Sequence, residues 1–390
     1  MQDSIVQGVL AIHKPPRITS TDVIRTLQHH FNPSTTFAPL LAAAQDAEKH
    51  KPYEQQRRGR KSRQLLNKVK IGHGGTLDPL ATGVLITGIG TGTKELSSFL
   101  GCTKTYETVV LFGVQTDTYD VLGKVVKTAD WAEVNEESIR DALKKNFTGK
   151  IGQRPPIFSA KWVNGERMYD LARRGEEVPE ALLEAKEMNV DEMELLEFWE
   201  EGAHEWVMRT GEELGGSTGR RDDRGGRGKK RKREKGREQE VDESPKKRPE
   251  SAGKIMDAKD ISVKKPFMSG ALPAEDEIDQ PAAEEAVLDK KEAEGAEMAP
   301  TESTPPVRLG PAARIRMTVS SGFYVRSLCH DLGKALGSAG TMAELIRTRQ
   351  GDFEVGKNCL DFDDLQKGES VWGPKVKKFL DQWQDNMSKK

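Results

Sequence analysis

Two periods of apolar and polar residues run along this chain. Gly8-Val-Leu-Ala-Ile12 is a short apolar run that reads as a buried strand, ended by His13-Lys14-Pro15-Pro16. From Thr19 to Phe31 the period becomes helical: Val23, Ile24, Leu27 and Phe31 share a face, and Thr19 with Asp22 fits a capping box. Val84-Leu-Ile-Thr-Gly88 reads as a core strand. The run from Lys104 to Val114 has apolar residues on both faces, which places it centrally in a sheet. Asn135 is a natural N-cap for a helix to Phe147 with Ile139 and Leu143 inward. Residues 186 to 208 contain two strand-like runs, the second ending at His204-Glu-Trp-Val-Met208. Ile315, Met317 and Val319 alternate with Arg314, Arg316 and Thr318, a half-buried strand. The strands near Val207 and Met317 read as neighbours across one long insertion, whose closure entropy grows only logarithmically with length. Val325, Leu328, Leu332 and Leu336 then mark a helix, and Thr341-Met-Ala-Glu344 reads as the capping box of another.

Two stretches lack either period. Residues 34 to 66 read as a largely flexible insertion ending in Gln55-Gln-Arg-Arg-Gly-Arg-Lys-Ser-Arg63, either a solvated linker or a phosphate-contacting arm. Residues 209 to 310 are poor in aromatics, basic from Arg220 to Arg237 and mostly acidic from Pro273 to Glu297. Such a segment buries too little apolar surface to offset chain entropy and is expected to be disordered. Within it, Lys229-Lys-Arg-Lys-Arg233 and Pro245-Lys-Lys-Arg248 fit nuclear import signals, RNA-binding patches or plain solvated charge. The net charge of -1 over 390 residues hides this segregation, so it does not exclude a nucleic-acid partner. Charged residues make up 32% and hydrophobic ones 35%, which agrees with part of the chain lying outside any core. Cys102, Cys329 and Cys359 are far apart, with no metal-like spacing and no disulfide framework, as in a reducing compartment. No apolar run approaches the length of a membrane span, and Met1-Gln-Asp-Ser-Ile-Val6 resembles neither a signal peptide nor an Arg-rich transit peptide.

The densest candidate chemistry is Lys70-Ile-Gly-His73-Gly-Gly-Thr76-Leu-Asp78-Pro79-Leu-Ala-Thr82-Gly83. The glycines let the backbone bend, and Pro79 stiffens it and restricts Asp78 to extended conformations. Two readings follow: a structural turn with Asp78 capping an amide, or a carboxylate presented on a stiff loop beside His73 and Lys70. Gly88-Ile-Gly-Thr-Gly-Thr-Lys94 is not a phosphate loop, because its glycine spacing is wrong and Glu95 follows the lysine; it reads as a strand-to-helix turn. Tyr106 on its own is a core aromatic, and Asp117 a turn former. Basic and aromatic residues interleave from Gln153 to Gly175. Arg326 lies in the first turn of its helix, where the dipole disfavours a cation, so another group must recruit it.

These motifs together carry a resemblance. Gly72 to Leu85 resembles, without a gap, the signature loop of the TruB family of tRNA pseudouridine synthases; Gly74 stands where bacterial members usually have Thr, as in fungal-type members. Lys104-Thr-Tyr106 with Thr116-Asp117-Thr118-Tyr119-Asp120, Pro155-Pro-Ile-Phe-Ser159-Ala-Lys161, and Ser321 to Gly333 are similar to further family motifs. Arg17 stands where the family commonly has Gly, which implies a different bend or a side chain turned to RNA. The resemblance implies an α/β (α+β) pseudouridine synthase fold, with a mixed, largely antiparallel central sheet flanked by helices and interrupted by disordered insertions. The catalytic domain would occupy residues 1–356, ordered over 8–32, 68–208 and 313–356. Residues 357–390 would form a helical tail too short for the RNA-binding PUA domain of bacterial members.

The resemblance also implies roles. Asp78 would be the nucleophile, Tyr106 would stack on the target base, and Arg326 would pair with Asp78. His73, Lys70, Lys14, Asp117, Lys161 and Tyr324 would serve the substrate RNA. Aspartate is ionised at neutral pH and needs no neighbouring base to act. The implied reaction detaches uracil from C1′ of its ribose, turns it and reattaches it through C5, without metal, redox group or small-molecule cofactor. The implied partner is the T-arm of tRNA, with uridine 55 as target, for a monomer in the nucleus, cytoplasm or mitochondrion with no membrane association. Two rivals are a guide-RNA-dependent synthase subunit acting on ribosomal RNA and a non-catalytic tRNA-folding chaperone.

Overall fold

The computed structural model describes residues 5–52, 59, 64–159, 161–163, 166–176, 183–208 and 309–389. Its strands are β1 (Gly8–Lys14), β2 (Ile71–His73), β3 (Thr82–Ile89), β4 (Lys104–Phe112), β5 (Val114–Thr116), β6 (Val125–Thr128), β7 (Gly149–Gln153), β8 (Trp162–Val163), β9 (Glu166–Arg167), β10 (Lys186–Trp199), β11 (Ala312–Val319), β12 (Gly340–Gln350), β13 (Phe353–Glu354) and β14 (Cys359–Asp361). Its helices are α1 (Ser20–Phe31), α2 (Ala38–Lys49), α3 (Leu96–Gly101), α4 (Glu136–Asn146), α5 (Met168–Arg173), α6 (Val325–Ala335) and α7 (Glu369–Ser388). One ten-stranded sheet runs β14-β1-β3-β12-β4-β11-β10-β7, with β2 beside β3 and β13 beside β12. Among the described strands of this sheet, only the β1–β14 and β3–β12 pairs are parallel. The mixed, largely antiparallel architecture is the expected one.

Strand β4 is central, between β12 and β11. Tyr106, Thr108, Val110 and Phe112 fall on one of its faces by strand alternation. Helix α6 covers that face: the Thr108 hydroxyl lies 3.8 Å from the Cys329 thiol. Val109 and Leu111 point the other way, into a second core with Val121 and Ala312. Helix α1 has the predicted capping box, in which Asp22 N–H donates to Thr19 Oγ1 at 3.0 Å and Thr19 N–H donates to Asp22 Oδ2 at 3.2 Å. Its buried residues include Val23, Ile24, Leu27 and Phe31. Helix α4 is capped by Asn135 as expected.

Several elements differ from the sequence-based expectation. Part of the stretch read as a flexible insertion, 34 to 66, is helix α2. Alanine favours helix, and Phe37 just before it is fully buried against Phe31 and Trp372, with ring centroids 4.5 and 6.4 Å away. Most of the basic end of that stretch (55–58 and 60–63) lies outside the described residues. Instead of two short strands, residues 186 to 199 form the single strand β10; Met193, not Val207, opposes Met317. Residues 200–208, where the second run was expected to end, form no strand, and Trp206 and Met208 pack there against the core that holds Val109 and Leu111; within β10, register shifts after Val190 and after Leu195 interrupt the period of two. The expected helix after Thr341 is strand β12. Its buried place between β3 and β4 overrides local helix preference, and Thr341 Oγ1 donates to Val114 O at 2.7 Å instead of capping. The C-terminal tail is no appendage. Strand β14 pairs with β1, and Trp372, Val376 and Leu380 of α7 join the main core. Of the stretch expected to be disordered, 209–310, residues 209–308 and with them both import-like motifs lie outside the described residues, whereas Gly310 is ordered, its N–H donating to Phe112 O at 3.1 Å. Among the described residues, no helix is long and apolar enough to cross a membrane.

Candidate active site

The loop before β3 is held through its backbone, and this frees the Asp78 side chain. Gly74 N–H donates to Ile86 O at 2.9 Å, and Gln350 Nε2 donates to Gly74 O at 2.8 Å. Leu77 N–H donates to the Ser20 hydroxyl at 3.0 Å, so the first residue of α1 holds the position just before Asp78. Arg17 N–H donates to Pro79 O at 2.8 Å. Lys14 Nζ donates to the carbonyls of Pro15, Pro79 and Ala81 at 2.9, 3.1 and 2.6 Å. Burial pushes the Lys14 ammonium down to about 8, against the opposing pull of Asp78. Gly83, at φ +100, closes the loop where β3 meets β12. A Cβ there would lie 2.2 Å from Arg347 O, so only glycine fits.

Arg17 itself adopts φ +69. A glycine-type bend is therefore kept with an arginine in it, and the side chain is exposed.

Arg326 reaches this loop from 248 residues away and grips Asp78 with both arms. Nε donates to Oδ2 at 2.7 Å and Nη2 to Oδ1 at 3.2 Å. Two further donors are used: Nη1 on Thr118 O at 3.1 Å and Nη2 on Phe158 O at 2.8 Å. The Arg326 side chain is 8% exposed and that of Asp78 31%, so the acid faces open space while its partner does not. This pairing answers why a cation occupies the first turn of α6. Gln153 of β7 fixes that helix end, with Nε2 donating to Tyr324 O at 2.9 Å and Oε1 accepting from Tyr324 N–H at 2.7 Å.

A second carboxylate, Asp120, has Oδ2 4.0 Å from Arg326 Nε. Its Oδ1 accepts from Thr118 Oγ1 at 2.8 Å and from Leu122 N–H at 3.0 Å. Burial raises its pKa above the ordinary Asp value, Asp78 adds to that, and Arg326 and Thr118 oppose it. Burial likewise raises the Tyr324 phenol, opposed by Ser159 and Arg326. His73 Nδ1 is buried without a hydrogen-bond partner, and burial lowers the pKa of the ring, so the imidazole is neutral at pH 7.

The structure thus joins Asp78, Arg326 and Lys14, with Tyr324 beside them at the helix end. Tyr106 is buried in β4 on the face that α6 covers, with no hydrogen bond to Asp78 or Arg326. Asp117 does not join the site: its carboxylate is exposed and accepts from Lys124 N–H at 2.8 Å, closing a turn. Lys70 is exposed ahead of β2 and has no bond to Asp78; Lys161 leads into β8. Sequence reasoning passed over Asp120, Ser20 and Gln153. Asp120 sits in the same motif as Asp117, whereas Ser20 and Gln153 act on residues 57 and 171 positions away and carry no local mark. Among the described residues, no cluster of three or more His, Cys, Asp or Glu could hold a metal ion.

Comparison with known proteins decides the family. Residues 63–211 match the N-terminal domain of TruB family pseudouridylate synthase, and residues 326–383 match the tRNA pseudouridylate synthase B C-terminal domain. The chain is 36% identical over 365 residues to tRNA pseudouridine synthase 4 of Schizosaccharomyces pombe, covering 92% of this chain and 82% of that one. This chain belongs to the TruB family of pseudouridine synthases. Another TruB relative, tRNA pseudouridine synthase 4 of Saccharomyces cerevisiae, is 30% identical over 384 residues, covering 97% and 85% of the two chains. Among solved structures, a chain in the crystal structure of a Cbf5–Nop10–Gar1 complex aligns with a TM-score of 0.45 at 18% identity, covering 95% of this chain and 59% of that one. The TruB N-terminal match spans the Asp78 loop, Tyr106 and Asp120, and the C-terminal match begins at Arg326.

Proposed function

We propose that this TruB-family enzyme isomerises uridine 55 in the T-loop of tRNA to pseudouridine, with Asp78 as nucleophile. The carrying observation is the two-armed Arg326 grip on an acid that is still open to solvent. The names of both yeast relatives support tRNA as the substrate. In this reading the uridine leaves its loop, at a cost of a few kcal/mol. Stacking on Tyr106 returns roughly 1–3 kcal/mol, and phosphate contacts from basic residues supply the rest, so binding weakens steeply with salt. The C1′–N1 bond breaks as the Asp78 carboxylate stabilises or bonds the ribose or base, the base turns, and a C5–C1′ bond forms. The C5 proton then leaves, with Tyr106 assisting, and N1 is protonated. Arg326 orients the carboxylate and balances its charge.

The test is release of tritium from tRNA carrying 5-tritiated uridine, using purified protein alone. Release should require the T-loop uridine, and Asp78→Asn should abolish it while tRNA still binds. A requirement for a guide RNA, or a tRNA-folding effect without any release, would favour one of the two rivals instead.

A further inference from the structure

One side of helix α6 lines a second hollow, of about 230 Å³, together with Gln115, Lys127, Ser338 and Ala339; α6 contributes His330 and Lys334. Its chemistry is one-sided. Each polar side chain that lines it can donate a hydrogen bond, and no carboxylate is among them. Lys127 and Lys334 form no ion pair among the described residues. The Ser338 hydroxyl and His330 Nδ1 are both buried and lack a hydrogen-bond partner. Ser338 is 7% exposed. Buried polar atoms are rarely left so, because water is given up without replacement. Burial lowers the His330 pKa, and Lys334 and Lys127 lower it further, so the neutral ring has one N–H to offer.

The hollow also connects to the active site. His330 lies one turn beyond Arg326, about 6 Å along the helix axis. Its ring stacks on Tyr119, with centroids 4.1 Å apart and planes 6° from parallel. Tyr119 is held at φ +63, between Thr118, whose carbonyl accepts from Arg326, and Asp120.

We propose that this hollow binds a phosphate group. Two ammoniums supply charge, and a hydroxyl, an imidazole and an amide supply directed donors. The volume, below that of a usual small-molecule pocket, suits one phosphate with its waters. The group comes either from the RNA backbone or from free phosphate. The site stands on its own donors and does not depend on the proposed target uridine.

The test compares the full chain with Lys127→Gln/Lys334→Gln, with Ser338→Ala, and with Lys378→Gln on the exposed face of α7 as control. Both pocket lysines are exposed, so their replacement leaves folding intact, as thermal melts will show. Inorganic phosphate is titrated by calorimetry, and tRNA binding is measured at stepped KCl. The expected result is phosphate binding by the parent that falls at least about tenfold in the double variant and weakens in Ser338→Ala. If RNA supplies the group, the double variant also loses tRNA affinity, and its log–log salt slope becomes shallower by about 0.7–0.9 for the one contact removed. Lost phosphate binding with unchanged tRNA binding assigns free phosphate as the ligand. The proposal is overturned if neither ligand distinguishes parent from double variant, or if Lys378→Gln matches the double variant, since the effect is then bulk charge.

Discussion

Replacing Arg326 by lysine keeps the charge beside Asp78 and removes the geometry. Arg326 donates four hydrogen bonds in fixed directions: two to Asp78, one to Thr118 O and one to Phe158 O. An ammonium ends in a single point and cannot span both carboxylate oxygens and two separate carbonyls, so at least two of these bonds are lost. At roughly 1.5–3 kcal/mol for each bond involving a charged group, and with water reaching Asp78 to soften the loss, stability should fall by about 2–4 kcal/mol. The rate should fall further than the charge alone predicts. A reacting group displaced by about 1 Å costs on the order of a hundredfold. The assays are thermal melting, tRNA binding by gel shift, and single-turnover tritium release. The expected outcome is a folded Arg326→Lys protein with near-parental tRNA affinity and about hundredfold slower release. A release rate within about threefold of the parent, less than ~0.7 kcal/mol of barrier, would refute orientation as the role of this arginine. A rate loss matched by an equal loss of affinity would place its role in binding instead.

Three further outcomes are expected. Asp120 has a raised folded-state pKa, so the stability it contributes is present below the ordinary carboxylate range and is lost as pH rises through the folded value. Asp120→Asn should therefore melt higher than the parent at pH 7 and converge with it in acid; an unchanged gap across pH would contradict this. Lys14, held at about 8, binds its proton less readily folded than unfolded, so this group makes stability rise with pH from about 8 to the ordinary lysine value. Lys14→Met should remove that rise in alkaline melts and slow tritium release, because Pro79 and Ala81 lose their clamp. Trp372→Ala empties the contact with Phe31, whose ring centroid is 4.9 Å away, and should cost about 3–5 kcal/mol by denaturant titration; loss below 1 kcal/mol would show that α7 is not integral to the core.

Much of this was legible in the chain, and what was not has a common cause. The Thr19/Asp22 capping pair, the Asn135 cap and the core strand after Asp78 depend on residues close in sequence, so periodicity and spacing reported them. The bulged strand β10 defeated the same reasoning, because two inserted residues reset the alternation on which it relies. Strand β12 defeated it differently: Ala343, Glu344 and Leu345 favour helix locally, and only the slot between β3 and β4 makes them strand. Arg17 was marked by departing from the family's glycine, yet only backbone geometry showed that the glycine-like bend persists.

By itself the sequence determined which segments form most elements, and it put a carboxylate on a stiff loop and a misplaced cation on a distant helix. Only the tertiary structure decided that these two meet, that Asp120 and not Asp117 stands beside them, and that the last helix closes the core. The physical reason is range. Backbone preference and amphipathic period act over a few residues, whereas a hydrogen bond between residues 78 and 326 exists only once the sheet has placed their strands and helix side by side.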